Sequence, residues 1–502
     1  MSVSELQPKE VFSIFHEITQ VPRPSKREGK IIEWLKAFAV KHNLEHTVDE
    51  AGNIIMRKPA TPGYENKPGV ILQAHMDMVC EKNNDTIHDF DNDPIHTYID
   101  GDFIKAQGTT LGADNGIGMA LMLAAITSET LQHPALECLF TVDEETGLTG
   151  AFRLQDGCLN GKQLINLDSE DDGQVFIGCA GGIDTLAKMH YTPLSITDSP
   201  KGASNSEASH SHSVASRLAI HLKVSGLMGG HSGDDINKGR GNANKILVRF
   251  LYQVLSTFDL QLSTINGGNL RNAIAREAEA VIVIPMAKKE DIRIMLNHYI
   301  ATIEAEIGDV EKDFAMSLET TDMPQTIIPA DKAKVLIQAL YACPHGMTAM
   351  SKTMPGLVET STNLASVKMR EDEKGAYVEI NTSQRSSIES KKHDIKQMVE
   401  CALALACDEV THGDGYPGWA PNPQSPLLEV TKKAYADLFA TEPKVLAIHA
   451  GLECGLFLEK YPYLDMVSIG PQMFGVHSPQ ERLSITSTGK CWEWLKAILT
   501  AL

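Results

Sequence analysis

Short apolar runs in this chain end again and again on acidic or imidazole side chains. VILQA runs into His75 and Asp77, ECLFTV into Asp143, Glu144 and Glu145, and QLINL into Asp168. Between the first two lies IGMALMLAAI, from Ile117, long and apolar enough for a buried helix. Earlier segments, Glu10–Gln20 and Ile31–Val40, carry apolar residues at helical spacing. Strands alternating with helices predict an α/β layer with a largely parallel sheet flanked by helices. In open sheets of that kind ligands bind outside the carboxyl ends of the strands. The fold expected here would therefore deliver these side chains to one edge.

Two further residues extend the pattern. Asp114 stands in GADNG, between an extended stretch and a helix start, and His477 follows the late apolar run DMVSIG. Two histidines with three or four carboxylates and no thiolate suit zinc, with cobalt or manganese as substitutes. So many donors exceed the needs of one tetrahedral ion and suit two, roughly 3.5–4 Å apart and bridged by a carboxylate. Asp114 is the natural bridge, because a loop residue can turn both oxygens towards the metals. In His-x-Asp at a strand end both side chains share a face, so Asp77 is expected to hold the His75 ring. Of the adjacent pair, Glu145 is expected as a ligand and Glu144 as the general base. Each piece alone has a plainer reading: an exposed turn for the two glutamates, a helix cap for GADNG. Their succession on consecutive strand ends is what points to a metal site.

The 502 residues suggest two or three domains. After about Asp184 the chain changes character: strand-like LAIHLKV, a helix from Ala243, strand-like AEAVIVI and YVEINT, and helices from Asp331 and Lys391. The last hundred residues return to the first pattern, with VLAIHA, DMVSIG and a closing helix. The expectation is a discontinuous catalytic domain, 1–185 and 403–502, interrupted by an inserted α+β domain, 186–402. A polar insertion at about 201–217, rich in Ser and His, reads as a solvated loop or a disordered insertion in which His210 and His212 are weak candidates for metal capture. A formal net charge of −20 argues against nucleic acid or an anionic membrane as the main partner. No apolar run approaches the roughly 20 residues a membrane span needs. The start of the chain does not read as a signal peptide. Nine scattered cysteines without a C-x-x-C pair suit reduced thiols and a cytoplasmic location.

The segments HMDMV, TLGADNGIGMA, VDEETG, NLDSE and VHSPQERL, in that order, resemble the di-zinc aminoacylase and carboxypeptidase-like metallopeptidases. CAGGID, GGHSG, GNANKILVRFL, GGNLRNAIAREA and HAGLECGLF are similar to one branch, the cytosolic aminoacyl-histidine dipeptidases. The resemblance spans nearly the whole chain. It implies metal ligands at His75, Asp114, Glu145, Asp168 and His477, with Asp114 bridging two zinc ions, Glu144 as base and Asp77 clamping His75. It also implies a cis peptide between Asp114 and Asn115 and a lid made by the inserted domain, which often forms a homodimer interface. On that lid His231 would stabilise the oxyanion, and Asn272 and Arg385 would hold the substrate, which Gly451 also lines. His449 is a tempting further ligand, but His477 fits the pattern better. The activity implied is hydrolysis of Xaa-His and related dipeptides by a hydroxide bridging the metals. An aminoacylase or amidohydrolase on the same scaffold, or a non-catalytic metal- or peptide-binding relative, is the alternative.

Overall fold

The run Val70–His75 is buried on both faces, as a central parallel strand must be. In the computed structural model, which describes residues 2–196 and 217–502, it lies at the middle of an eight-stranded sheet. The segment containing His210 and His212 lies outside the described residues. The chain forms two compact units. The first comprises Met1–Cys179, Trp419–Ile448 and Leu452–Leu502, and the second Ala180–Gly418 and His449–Gly451. The second unit reaches beyond the expected limit at 402 because Glu409–His412 pairs with Gly181–His190. A strand of four residues leaves too little periodicity for its partner to be read from sequence.

In the first unit the strand order is Glu45–Val48, Ile54–Lys58, Leu136–Thr141, Val70–His75, Gln163–Asn166, Asp465–Ser468, Gln174–Cys179 and Lys444–Ile448. The central four run parallel. Antiparallel joints add the first two strands and link Asp465–Ser468 to Gln174–Cys179. The helix Ala113–Thr127 packs on Val70–His75 and is buried along nearly its whole length, so its sequence is apolar all round. A second, four-stranded sheet is made by Thr97–Asp100, Phe103–Ala106, Met473–Phe474 and Arg482–Ser484. The periodicity of these short strands is too brief to read, yet one of their turns carries His477.

The second unit is built on a nine-stranded antiparallel sheet whose longest hairpin is Val358–Asp372 with Gly375–Ser386. The helices Ala243–Thr257, Ala330–Ala342 and Glu389–Leu403 pack against it around a core that includes Leu222, Phe250, Leu336 and Ile380. The first of these helices starts at Asn242, whose side chain accepts the Lys245 N–H at 3.1 Å and so satisfies one open donor of the first turn. Among the described residues no helix is long and apolar enough to cross a membrane.

Candidate metal centre

Parallel strands end on the same edge, and here three of them place donors side by side. Val70–His75 ends on His75, Leu136–Thr141 stops three residues before Glu144, and Gln163–Asn166 stops two before Asp168. Glu144 and Glu145 do not extend their strand; they open a one-turn helix, Glu144–Gly147, after Asp143 takes a left-handed conformation (φ 50°). His477 comes from the turn between Met473–Phe474 and Arg482–Ser484 and is also left-handed, at φ 64°.

The five expected ligands meet around Asp114. Its Oδ1 lies 2.9 Å from His75 Nε2, which is itself 3.4 Å from Asp168 Oδ1. Its Oδ2 lies 3.1 Å from His477 Nε2, which is 3.0 Å from Glu145 Oε2. One carboxylate thus faces two sets, each made of one imidazole and one further carboxylate. Single donor atoms of His75, Asp114 and Glu145 all lie within 4.8 Å of one another. Glu145 Oε1 is buried without a hydrogen-bond partner. A buried carboxylate oxygen left unpartnered amid other carboxylates is costly, and a divalent cation satisfies it. The donor set therefore fits two divalent ions.

Asp77 is fully buried and does more than clamp a ring. His75 Nδ1 lies 3.3 Å from its Oδ1 and 3.2 Å from its carbonyl oxygen. The same carboxylate accepts the backbone N–H of Glu144 at 3.1 Å, that of Glu145 at 3.3 Å and the Ser25 hydroxyl at 2.8 Å. It thereby fixes the imidazole and the two-glutamate turn to each other. The Asp114–Asn115 peptide is cis. The Asn115 amide donates to Asp168 Oδ1, while its oxygen accepts the Gly118 N–H at 3.1 Å.

Two residues that pattern reading passed over hold the GADNG loop. Glu481 accepts the backbone N–H groups of Leu111, Gly112, Ala113 and Asp114 at 2.7–3.3 Å. Arg23, buried, donates to the carbonyls of Met76 and Asp77 at 3.2 and 2.8 Å and to that of Gly112. Gly112 has φ 68°, and a Cβ there would come within 2.5 Å of the Arg23 guanidinium, so the position requires glycine. Glu481 stands inside the motif VHSPQERL, four residues after His477, and that placement was the sequence signal available. Glu481→Ala leaves up to four buried N–H groups unpaired, at about 1–3 kcal/mol each where water cannot replace the carboxylate. The expected result is a loss of at least about 3 kcal/mol in urea unfolding, accompanied by reduced metal content.

Beneath the edge, Gln73, Thr141, Asn166 and Ser468 form a buried polar row across adjacent strands. Glu453, also buried, accepts from Gln73 Nε2 at 2.6 Å and from the Thr141 hydroxyl at 2.8 Å. Burial and the nearby Asp168 push its carboxyl up to about 8 against the pull of His75 and its two hydrogen bonds.

The electrostatics of the edge are those of crowded carboxylates. Hydrogen bonds to Asp114 and Glu145 hold His477 up to about 11. Burial opposes charge on His75, yet Asp168 and Asp114 raise it well above the usual imidazole range. Asp114 is itself burdened by burial, but its bonds to His477 and His75 hold it well below the carboxylate range. Desolvation raises Glu144, as do Asp168, Glu453 and Glu145, against the attraction of His75. Without metal, protons on the two imidazoles balance these carboxylates, so a metal must displace them. Loading is therefore expected to release about two protons per chain near neutral pH and to weaken as pH falls. A pH indicator in weak buffer during zinc titration measures it.

The remaining expected residues lie in the second unit. His231 pairs through Gly230–His231 with Ala273–Ile274. Its Nδ1 meets the N–H groups of Gly233 and Asp234 at 3.3 and 3.2 Å and lies 3.5 Å from Asp234 Oδ2, so these contacts all fall on one ring nitrogen. Asn272 and Arg385 line one cavity of about 470 Å³. Gly451 belongs to the His449–Gly451 segment of this unit. His449 belongs to the same segment; its Nε2 lies 2.7 Å from the Ser361 hydroxyl, and burial with the Arg385 charge pushes it down to about 4.

The chain is 42% identical over 497 residues, 99% of its length and 98% of the relative's, to the cytosol non-specific dipeptidase of Escherichia coli (strain K12). The crystal structure of aminoacylhistidine dipeptidase from Vibrio alginolyticus superposes with a TM-score of 0.91 at 39% identity, covering 100% of this chain and 98% of that one. The aminopeptidase PepT of Bacillus cereus shares the fold at a TM-score of 0.60 and 16% identity, over 99% of each chain. The profile of peptidase family M20/M25/M40 matches residues 71–501, so the chain belongs to that family.

Proposed function

We propose that this protein is a metal-dependent dipeptidase acting with two divalent ions, zinc first among them, on Xaa-His and related dipeptides. The observation that carries the reading is the split of the Asp114 carboxylate between two imidazole–carboxylate sets. In this reading His75 and Asp168 would hold one ion and His477 and Glu145 the other, with Asp114 shared between them. Ions held there would supply Lewis acidity, polarising the scissile carbonyl and acidifying water. Glu144, poorly solvated and next to the ligand Glu145, takes the proton from the attacking water and returns it to the leaving amine. Asp77 keeps the His75 ring and the Glu144 turn in register. From the second unit, read as a lid and homodimer surface, His231 donates from Nε2 to the oxygen on which charge develops. Arg385 offers a guanidinium fork to the free carboxylate of the dipeptide, with Asn272 and Gly451 also lining the substrate. The name of the Escherichia coli relative supports a cytoplasmic location.

The test is metal analysis paired with hydrolysis of β-alanyl-histidine, before and after chelation. Two ions per chain and chelator-sensitive cleavage are expected. Two ions with cleavage of N-acyl amino acids instead of dipeptides would move the activity to an aminoacylase, and two ions with no cleavage of either would indicate a binding protein. Failure to take up added zinc would overturn the reading.

A further inference from the structure

Arg385 is only 8% exposed, yet among the described residues no carboxylate oxygen lies within 4.0 Å of it. Its Nη1 donates to Tyr416 Oη at 2.9 Å, and its Nε is buried with no protein partner. A buried guanidinium in that state favours an anion as its missing partner. Tyr416 is held firmly where it meets the arginine. Its N–H and C=O bond the C=O and N–H of Gly182 at 2.8 and 3.0 Å, and Lys392 Nζ donates to its carbonyl at 2.7 Å. Two glycines make room for the ring. A Cβ at Gly182 would fall 2.6 Å from the phenolic oxygen, and one at Gly451 2.7 Å from Cε2. Contacts so short do not occur, so a side chain at either position would displace the phenol from Arg385. Tyr416 and Arg385 line the same cavity, together with Asn272 and Ser383.

We infer that Tyr416 is a positioning residue for the substrate carboxylate: its phenolic oxygen holds the Arg385 guanidinium in one orientation, and Gly182 and Gly451 are glycines so that the ring can reach it. The inference rests on the reading of Arg385 as the carboxylate anchor. It also gives Gly451 a physical reason to be glycine: the residue seats the tyrosine, whatever else it lines.

The test compares Tyr416→Phe, Arg385→Ala and the double variant on β-alanyl-histidine and on its C-terminal amide. Tyr416→Phe keeps the ring and removes one hydrogen bond to a charged group, so KM for the free acid should rise about tenfold. Its kcat and metal content should change by less than about threefold, and KM for the amide should stay as it was. The double variant should be no worse than Arg385→Ala, because Tyr416 acts through the arginine. An unchanged KM in Tyr416→Phe beside a raised one in Arg385→Ala would remove Tyr416 and leave the anchor standing. An unchanged KM in Arg385→Ala would remove the anchor itself. Loss of metal or of thermal stability in Tyr416→Phe, in step with kcat, would reduce its role to packing and overturn the inference.

Discussion

Glu144→Gln is expected to lower kcat on a dipeptide by about 10²–10⁴-fold and to leave both metal ions bound. The substitution keeps shape and volume and removes only the ability to accept a proton. Its backbone N–H can still bond Asp77 Oδ1, as it does now at 3.1 Å, so the turn that carries Glu145 has no reason to move. Burial and the neighbouring Asp168, Glu453 and Glu145 raise the Glu144 carboxyl, which brings it nearer to the pH at which it must take up and release a proton. Metal content by atomic spectroscopy and steady-state kinetics decide the matter together. Unchanged turnover would place the base elsewhere, and loss of an ion would make Glu144 a ligand.

His231→Ala is expected to lower kcat by about 10²–10³-fold with metal content intact. The N–H groups of Gly233 and Asp234 and the Asp234 carboxylate all meet Nδ1, which leaves Nε2 to donate. Such a donor matters most when negative charge builds on the former carbonyl oxygen, so the loss should fall on kcat more than on KM. His231→Gln, which retains an N–H donor, should recover part of it. Loss of metal in the alanine variant would instead make His231 part of the metal site.

Much of the candidate site was legible before any coordinates. His75, Asp114, Glu145, Asp168 and His477 follow apolar runs or open a helix, and the parallel centre of an α/β sheet sends such positions to one edge. The turn at Glu144 and Glu145 was less legible. The two residues read as the close of a strand, whereas they begin a helical turn whose N–H groups Asp77 accepts. Glu481 stood inside the motif VHSPQERL but its role did not show, and Arg23 and Tyr416 were not legible at all. Their partners are backbone groups or side chains dozens to hundreds of positions away, and no local period marks such bonds.

The sequence by itself determined the alternation of strands and helices, the donor types at the strand ends and, through its motifs, the family. These are local properties, carried by side-chain period and chemistry along a few consecutive residues. Only the tertiary structure decided how the donors divide, with Asp114 turning one oxygen to His75 and the other to His477. It alone drew the second unit on to Gly418 through the Glu409–His412 pairing, and it alone set Glu481 and Arg23 around one loop. Distances between residues hundreds of positions apart are set when the sheet and its covering helices pack. The physical reason is that hydrogen bonds and burial are satisfied over the whole fold at once.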